Sequence, residues 1–206
     1  VGLAPGLTDF AFRTGLPIES LIKKTVFKHF CGGESIEECE PVIEILAKGN
    51  VGSILDYSVE GEYTERAFSI TAEEIVKTIR RAKGDKRIPF TVFKLTGIAR
   101  YRLLERVGQG AELTDAEHVE FFKVKARVNH ICKTAFDLNV PVMIDAEESQ
   151  IQNSIDELAI DMMRLYNREK AIIYNTYQLY RKDKLESLKQ DCLRAESEGF
   201  ILGAKL

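Results

Sequence analysis

Five short apolar runs, each ending in one charged or amide residue, punctuate this chain, and stretches of helical period separate them. Val51 to Leu55 runs into Asp56, Pro89 to Phe93 into Lys94, and Val140 to Ile144 into Asp145. Ala171 to Tyr174 runs into Asn175, and Phe200 to Ala204 into Lys205. Strand and helix in repeated alternation is the sequence form of a parallel α/β protein, whose functional groups gather at the carboxyl ends of the strands. One polar residue after an apolar run is common. Five in series predict a site.

The intervening stretches carry helix signals. Ser35 with Glu38 has the form of a capping box and predicts a helix to about Lys48, closed by Gly49-Asn50. Thr71 to Glu74 opens a second helix that ends near Lys83-Gly84, and Thr114 with Glu117 opens another that runs to about Asn139. Helices are also expected over about 149–167 and 181–198. Between Leu95 and Ala111 lies a longer excursion with Gly97, Gly108 and Gly110. The strands are dense in Val, Ile and Phe without alternation, which predicts a sheet covered on both faces. Leu16 to Phe30 has apolar residues at near-helical spacing with Lys23, Lys24 and Lys28 among them. Packing against the domain that follows is the favoured reading, and a membrane-surface helix is the other.

Parallel strands joined by helices form either a doubly wound sheet or a closed barrel. The position after the first strand, Asp56-Tyr57-Ser58-Val59-Glu60-Gly61, holds one glycine and lacks the dinucleotide fingerprint, so the barrel is favoured. A (β/α)8 barrel takes about 250 residues, and five strand-helix units are visible in 206. The expected fold is therefore α/β, a partial (β/α)8 barrel of TIM type over residues 50–206, preceded by a helical segment over 1–49.

Composition narrows the functions. A formal charge of -3 gives no electrostatic reason to expect nucleic acid. No stretch reaches the roughly 20 apolar residues of a membrane span, and the N-terminus has no signal-peptide pattern, so a cytoplasmic location is expected. Cys31, Cys39, Cys132 and Cys192 show no metal-ligand spacing, and His29, His118 and His130 fall in helical stretches away from the strand ends. Neither a metal site nor a histidine-activated nucleophile is expected.

Asp56, Lys94, Asp145, Asn175 and Lys205 would share one barrel mouth, with Glu60 and Glu147 just beyond. Two lysines and two aspartates suit an anionic substrate, and an amide suits a polar ring edge, since it both donates and accepts. The competing structural account is an ion pair between Lys94 and Asp145 across the barrel. Such pairs stabilise little for their desolvation cost, which favours a functional role.

Several of these stretches resemble the proline dehydrogenases, FAD enzymes with a distorted (β/α)8 barrel. The strongest are Phe93-Lys94-Leu95-Thr96-Gly97-Ile98-Ala99-Arg100-Tyr101, Val142-Met143-Ile144-Asp145-Ala146-Glu147-Glu148 and Ile173-Tyr174-Asn175-Thr176-Tyr177-Gln178. Ile54 to Glu60 matches the first strand, and Gly203-Ala204-Lys205-Leu206 the opening of the fifth. The resemblance implies oxidation of L-proline to Δ1-pyrroline-5-carboxylate, with hydride passing to N5 of FAD and electrons to a membrane quinone. It also implies catalytic roles for Lys94, Asp145 and Glu60. Lys94 pairs with the substrate carboxylate, Asp145 holds Lys94, and Glu60 closes the site through an arginine. Asn175, Lys205 and Asp56 fall to the cofactor, with Asn175 on the flavin ring edge and Lys205 near N5. A quinone acceptor implies peripheral contact with the inner face of a membrane.

The family's valine-basic-glycine-alanine-tyrosine run and its pair of substrate-clamping arginines do not occur in these residues. The expectation is that the 206 residues alone bind FAD weakly and turn over little proline. An exposed fifth-strand edge would also invite association with another chain. Two other readings stand beside this one: a Schiff-base aldolase using Lys94 or Lys205, and an inactive barrel scaffold.

Overall fold

The computed structural model describes residues 27, 31–57 and 64–206. Glu60, and the stretch Leu16 to Phe30 apart from Phe27, lie outside these described residues. The chain divides into two compact units, Val1–Gly49 and Asn50–Leu206.

In the first unit, α1 spans Ile36–Lys48. The Ser35 hydroxyl accepts from the Glu38 amide at 3.3 Å, while the Glu38 carboxylate accepts from the Glu34 amide at 3.0 Å, one residue before the cap. Half of the expected box is present.

The second unit is built of five strands and the helices between them. In chain order these are β1 (Ile54–Asp56), α2 (Glu65–Ala82), β2 (Phe90–Phe93), a 3-10 turn at Leu95–Gly97, and α3 (Tyr101–Gly108). Then come α4 (Asp115–Leu138), β3 (Val142–Ile144), α5 (Gln152–Tyr166), β4 (Ile173–Thr176), α6 (Lys184–Glu198) and β5 (Ala204–Lys205). All neighbouring strands pair in parallel, in the order β1-β2-β3-β4-β5. This order decides between the two architectures. A doubly wound sheet reverses its strand order midway, whereas right-handed crossovers between strands added always on the same side keep every helix on one face. The sheet is therefore part of a barrel wall.

That arrangement puts the helices on one face of the sheet and the barrel lumen on the other. Leu55, Thr91, Phe93, Val142, Ile144 and Ile173 are buried, and each alternates with a residue on the opposite face. The buried set faces helices: Ile75, Val76 and Ile79 of α2, Val128 and Ile131 of α4, and Ile155 and Ala159 of α5 complete this core. The opposite face carries buried Val92 and half-buried Phe90, Met143 and Tyr174, with Phe90 and Tyr174 meeting edge to face at 5.4 Å. It is the concave, lumen side of the wall.

Two helices differ from the sequence reading. α2 begins six residues before Thr71 because Thr64 caps it, accepting from the Ala67 amide at 3.2 Å. Thr71 lies buried inside the helix. The excursion after Lys94 contains α3, whose Leu103 and Leu104 are buried. α4 follows the reading closely. Thr114 and Glu117 form the reciprocal capping box, and Asn139 ends the helix in the left-handed conformation at φ 55°.

At β4 and β5, a side chain does the work of a strand. Asn167 is fully buried, and its Nδ2 donates to the carbonyls of Ile173 and Ile201 at 2.8 and 3.0 Å. Its Oδ1 accepts from the amides of Ile172 and Ile173, both at 2.9 Å. The Asn167→Ala variant leaves these backbone groups without partners in a dry interior. We expect a loss of at least about 4 kcal/mol, since four groups are stranded and each costs about 1–3 kcal/mol, measured by urea unfolding.

α5 and α6 are clasped at the surface by Glu198, which accepts from both Arg164 and Arg194. Arg164 chiefly, and Arg194 beside it, hold its carboxyl down to about 2. A carboxylate depressed on folding adds stability that is present above its unfolded pKa and disappears as pH falls through the folded one. The Glu198→Gln variant should therefore lose stability at neutral pH and show a shallower decline than the parent between about pH 4.5 and 2, read from thermal midpoints across that range.

Candidate active site

Parallel register sets which side chains share a level. Phe93, Ile144, Asn175 and Ala204 form one row across β2 to β5, and Thr176 pairs with Lys205 in the next. Lys94 and Asp145 directly follow Phe93 and Ile144, with the Asp145 amide bonded to the Phe93 carbonyl at 3.0 Å. Lys94, Asp145, Thr176 and Lys205 therefore occupy one level on the lumen face, at the carboxyl ends of their strands. Asp56, level with Val92, lies on the same face nearer the strand starts.

Within this group the charges pair differently from the expectation. Asp145 accepts from Lys205 Nζ at 2.7 Å, while Lys94 Nζ stands 3.9 Å from Asp56 Oδ2. The expected Lys94–Asp145 contact gives way to these two. The flexible Lys205 stem reaches over β4 and takes the Asp145 carboxylate. Lys94, Lys205 and Asp56 are each 36% exposed at the side chain, so both pairs remain open to solvent and to a ligand.

Asn175 requires a second correction. β4 extends through Thr176, two residues beyond the run read from sequence, so Asn175 lies inside the strand rather than at its end. Its side chain is fully buried on the helix-facing side, where Nδ2 donates to Asp156 Oδ1 at 2.9 Å. Asp156 also accepts from Gln152 at 2.8 Å and from the buried Lys184 ammonium at 2.6 Å. Nearby, the buried Tyr177 hydroxyl donates to Asp191 at 2.9 Å. Burial pushes the Tyr177 phenol well above its ordinary range, and the Asp191 charge adds to the effect. Asn175 thus belongs to a polar cluster behind the sheet. Thr176 takes the lumen position, donating to the Ile144 carbonyl at 2.9 Å and standing 3.5 Å from Asp145 Oδ1.

Three loops surround this level and meet at Glu147. Its carboxylate accepts from the Thr96 amide at 3.1 Å and from the Thr96 hydroxyl. Its backbone amide donates to Gln152 and its carbonyl accepts from Gln178, both at 2.9 Å. Burial raises the Glu147 carboxyl above its usual range, against the Thr96 hydrogen bonds that favour its charge. Thr96, Gln152, Thr176 and Gln178 escaped the sequence reading. For Thr176 and Gln178 the period-2 parity with Tyr174 was the available signal. Among the described residues no group of three or more His, Cys, Asp or Glu is placed to hold a metal, and no helix is long and apolar enough to cross a membrane.

Comparison with known proteins connects this arrangement to one family. The family model described as proline dehydrogenase matches residues 39–206. The carbapenem antibiotics biosynthesis protein CarD of Pectobacterium carotovorum subsp. carotovorum is 32% identical over 177 residues, 86% of this chain and 47% of that protein. Proline dehydrogenase 1, mitochondrial, of Dictyostelium discoideum is 32% identical over 229 residues, 92% of this chain and 40% of that protein. The chain thus spans about half the length of these relatives. Among solved structures, proline utilization A (PutA) from Bdellovibrio bacteriovorus, inactivated by N-propargylglycine, superimposes with a TM-score of 0.71 at 17% identity. The match covers 90% of this chain and 20% of that one, and it carries the fold.

The cluster behind the sheet gives a direct check on side-chain direction. The Asp156→Ala variant strands the buried Lys184 ammonium together with two amide donors, and should lose about 3–5 kcal/mol of stability. Asn175→Ala should lose about 1 kcal/mol or more for its single strong bond and the space it fills. Chemical unfolding of both variants tests this, and an Asn175→Ala protein as stable as its parent would contradict the buried placement.

Proposed function

The chain belongs to the proline dehydrogenase family, and from that premise we propose that the protein oxidises L-proline to Δ1-pyrroline-5-carboxylate with FAD. The observation that carries this reading is the lumen level itself, where two partly exposed ammonium groups stand at strand ends, one tightly and one loosely paired.

The loosely paired cation is Lys94. At 3.9 Å its contact with Asp56 is beyond hydrogen-bond length, so a substrate carboxylate can take the ammonium at small cost. An ammonium serves as a compact point charge for such a group. Asp56 then keeps Lys94 directed into the lumen. Lys205, held at 2.7 Å by Asp145, has its position fixed while still offering N–H donors to a neighbour. Thr176 fills the space between them beside Asp145.

The residues present fit a flavin in donor chemistry. Lys205 supplies a cationic donor at the lumen level, and Gln178, two residues beyond Thr176, has a buried Oε1 without a partner. A planar ring edge with both donors and acceptors suits that pair. Bound FAD supplies the hydride acceptor. In proline, hydride leaves the ring carbon next to nitrogen with its electron pair, and the nitrogen releases its proton to solvent as the C=N bond forms. In this reading Lys94 anchors the carboxylate so that the ring lies in one orientation, and Lys205 with Asp145 sets the charge around the acceptor. Asn175, turned toward the helices, is not assigned to the flavin. Glu60, outside the described residues, is proposed to close the site through an ion pair. Electrons are proposed to leave to a membrane quinone, with the protein peripheral to the membrane.

Anaerobic addition of L-proline to the flavin-loaded protein should bleach the visible flavin absorption. Lys94→Met should lower kcat/KM by about 10–100-fold, the value of one charged hydrogen bond of about 1.5–3 kcal/mol, with most of the loss in KM. A flavin that stays oxidised in proline but bleaches with another cyclic amine would move the substrate assignment. Absence of bound flavin in a protein that carries these residues within a complete family barrel would overturn the cofactor assignment.

A further inference from the structure

The ammonium of Lys94 and the carboxylate of Asp145 are carried by two different loops, and the sheet ladder reaches them only through the Asp145 amide, which donates to the Phe93 carbonyl. Past Phe93 and Ile144 the backbone leaves the strands, yet the site needs its side chains held to well within an ångström. Glu147 is placed to meet that need.

We propose that Glu147 is a positioning residue that joins the loops after β2, β3 and β4 into one rigid rim. The inference deepens the proline reading above and rests on it for the substrate.

The geometry is that of a node. Lys94 directly precedes the 3-10 turn Leu95–Gly97, and Thr96 lies at the middle of that turn. Both Thr96 donors, amide and hydroxyl, are taken by the Glu147 carboxylate across 51 positions of sequence. Glu147 in turn stands two residues after Asp145, so the pair spans from the Lys94 loop to the Asp145 loop. Its carbonyl receives Gln178 from the loop after β4. Its amide reaches Gln152 at the start of α5, and Gln152 continues to Asp156 behind the sheet. One residue thereby ties the rim of the lumen to the buried cluster around Lys184.

The environment favours such a role over a solvated surface contact. Leu95, Ile98 and Ala99 are buried around Thr96, so the turn rests on the core on one side and on Glu147 on the other. A carboxylate accepting two donors from one residue fixes direction as well as distance. Neutral contacts would hold the turn in place but would not fix its rotation about the Lys94 stem.

The test compares Glu147→Ala, Glu147→Gln and Thr96→Val, the last removing the hydroxyl from the opposite loop. Amide hydrogen exchange is followed at Leu95–Gly97, with α4 as an internal reference for global stability. Exchange in the turn should speed by about tenfold in Glu147→Ala, the equivalent of about one hydrogen bond. The change should be smaller in Glu147→Gln, which keeps an acceptor for the Thr96 amide, and α4 should be unchanged. In the flavin-loaded protein, KM for L-proline should rise about tenfold in Glu147→Ala while kcat changes less. Glu147→Gln should recover part of that loss. Unchanged exchange in Glu147→Ala and Thr96→Val overturns the proposal, and so does faster exchange with an unaltered KM. A parent protein that ignores proline sinks the substrate reading instead. The exchange comparison then still decides whether Glu147 joins the loops.

Discussion

Unslipped parallel register is the constraint on which this structure depends. Because β2, β3, β4 and β5 pair with fixed partners, the residues that follow or end them arrive at one level and on one face. A shift of one position in any strand would send its last polar side chain to the helix side and bring a buried apolar one into the lumen. The buried row Phe93, Ile144 and Asn175 resists that shift, since it packs under α2, α4 and α5. Hydrophobic burial behind the sheet therefore orders the charges in front of it.

Two polar systems flank the sheet, one on each face, and they meet at a single point. In front, Lys205–Asp145 and Lys94–Asp56 are partly hydrated and can exchange partners at modest cost. Behind, Asp156, itself partly exposed, gathers the buried side chains of Asn175, Gln152 and Lys184. Gln152 connects the two through the Glu147 amide. The rigid side lends its order to the adaptable one, as a site carried on loops requires.

The strand-helix alternation and most helix signals were legible in the residues because they rest on local chemistry. The Thr114–Glu117 box is a four-residue motif, and the structure forms it as written. The lumen placement of Lys94, Asp145 and Lys205 followed from their apolar runs. Asn175 did not follow, because the end of β4 is set by pairing with β5, which draws Thr176 into the ladder opposite Lys205. A composition break at Tyr174 carries no information about that. The start of α2 was missed for a related reason, as buried Thr71 resembles a cap while Thr64 serves as one. Ion-pair partners were the least legible of all. Which carboxylate a lysine selects is settled by stem length and strand order, and a linear reading contains neither in usable form.

Asn167 has a consequence beyond the packing of β4. Asparagine side chains age by deamidation, in which the following backbone nitrogen, here that of Arg168, attacks the amide carbon. The product aspartate would present oxygen where Nδ2 now donates, facing the carbonyls of Ile173 and Ile201 with lone pairs against lone pairs. Attack requires the side chain to swing onto its own backbone, and four hydrogen bonds forbid that rotation in the folded state. The amide that closes the sheet is thus shielded from chemical ageing by the bonds it makes, and the lifetime of this seam is set by how often the fold opens there.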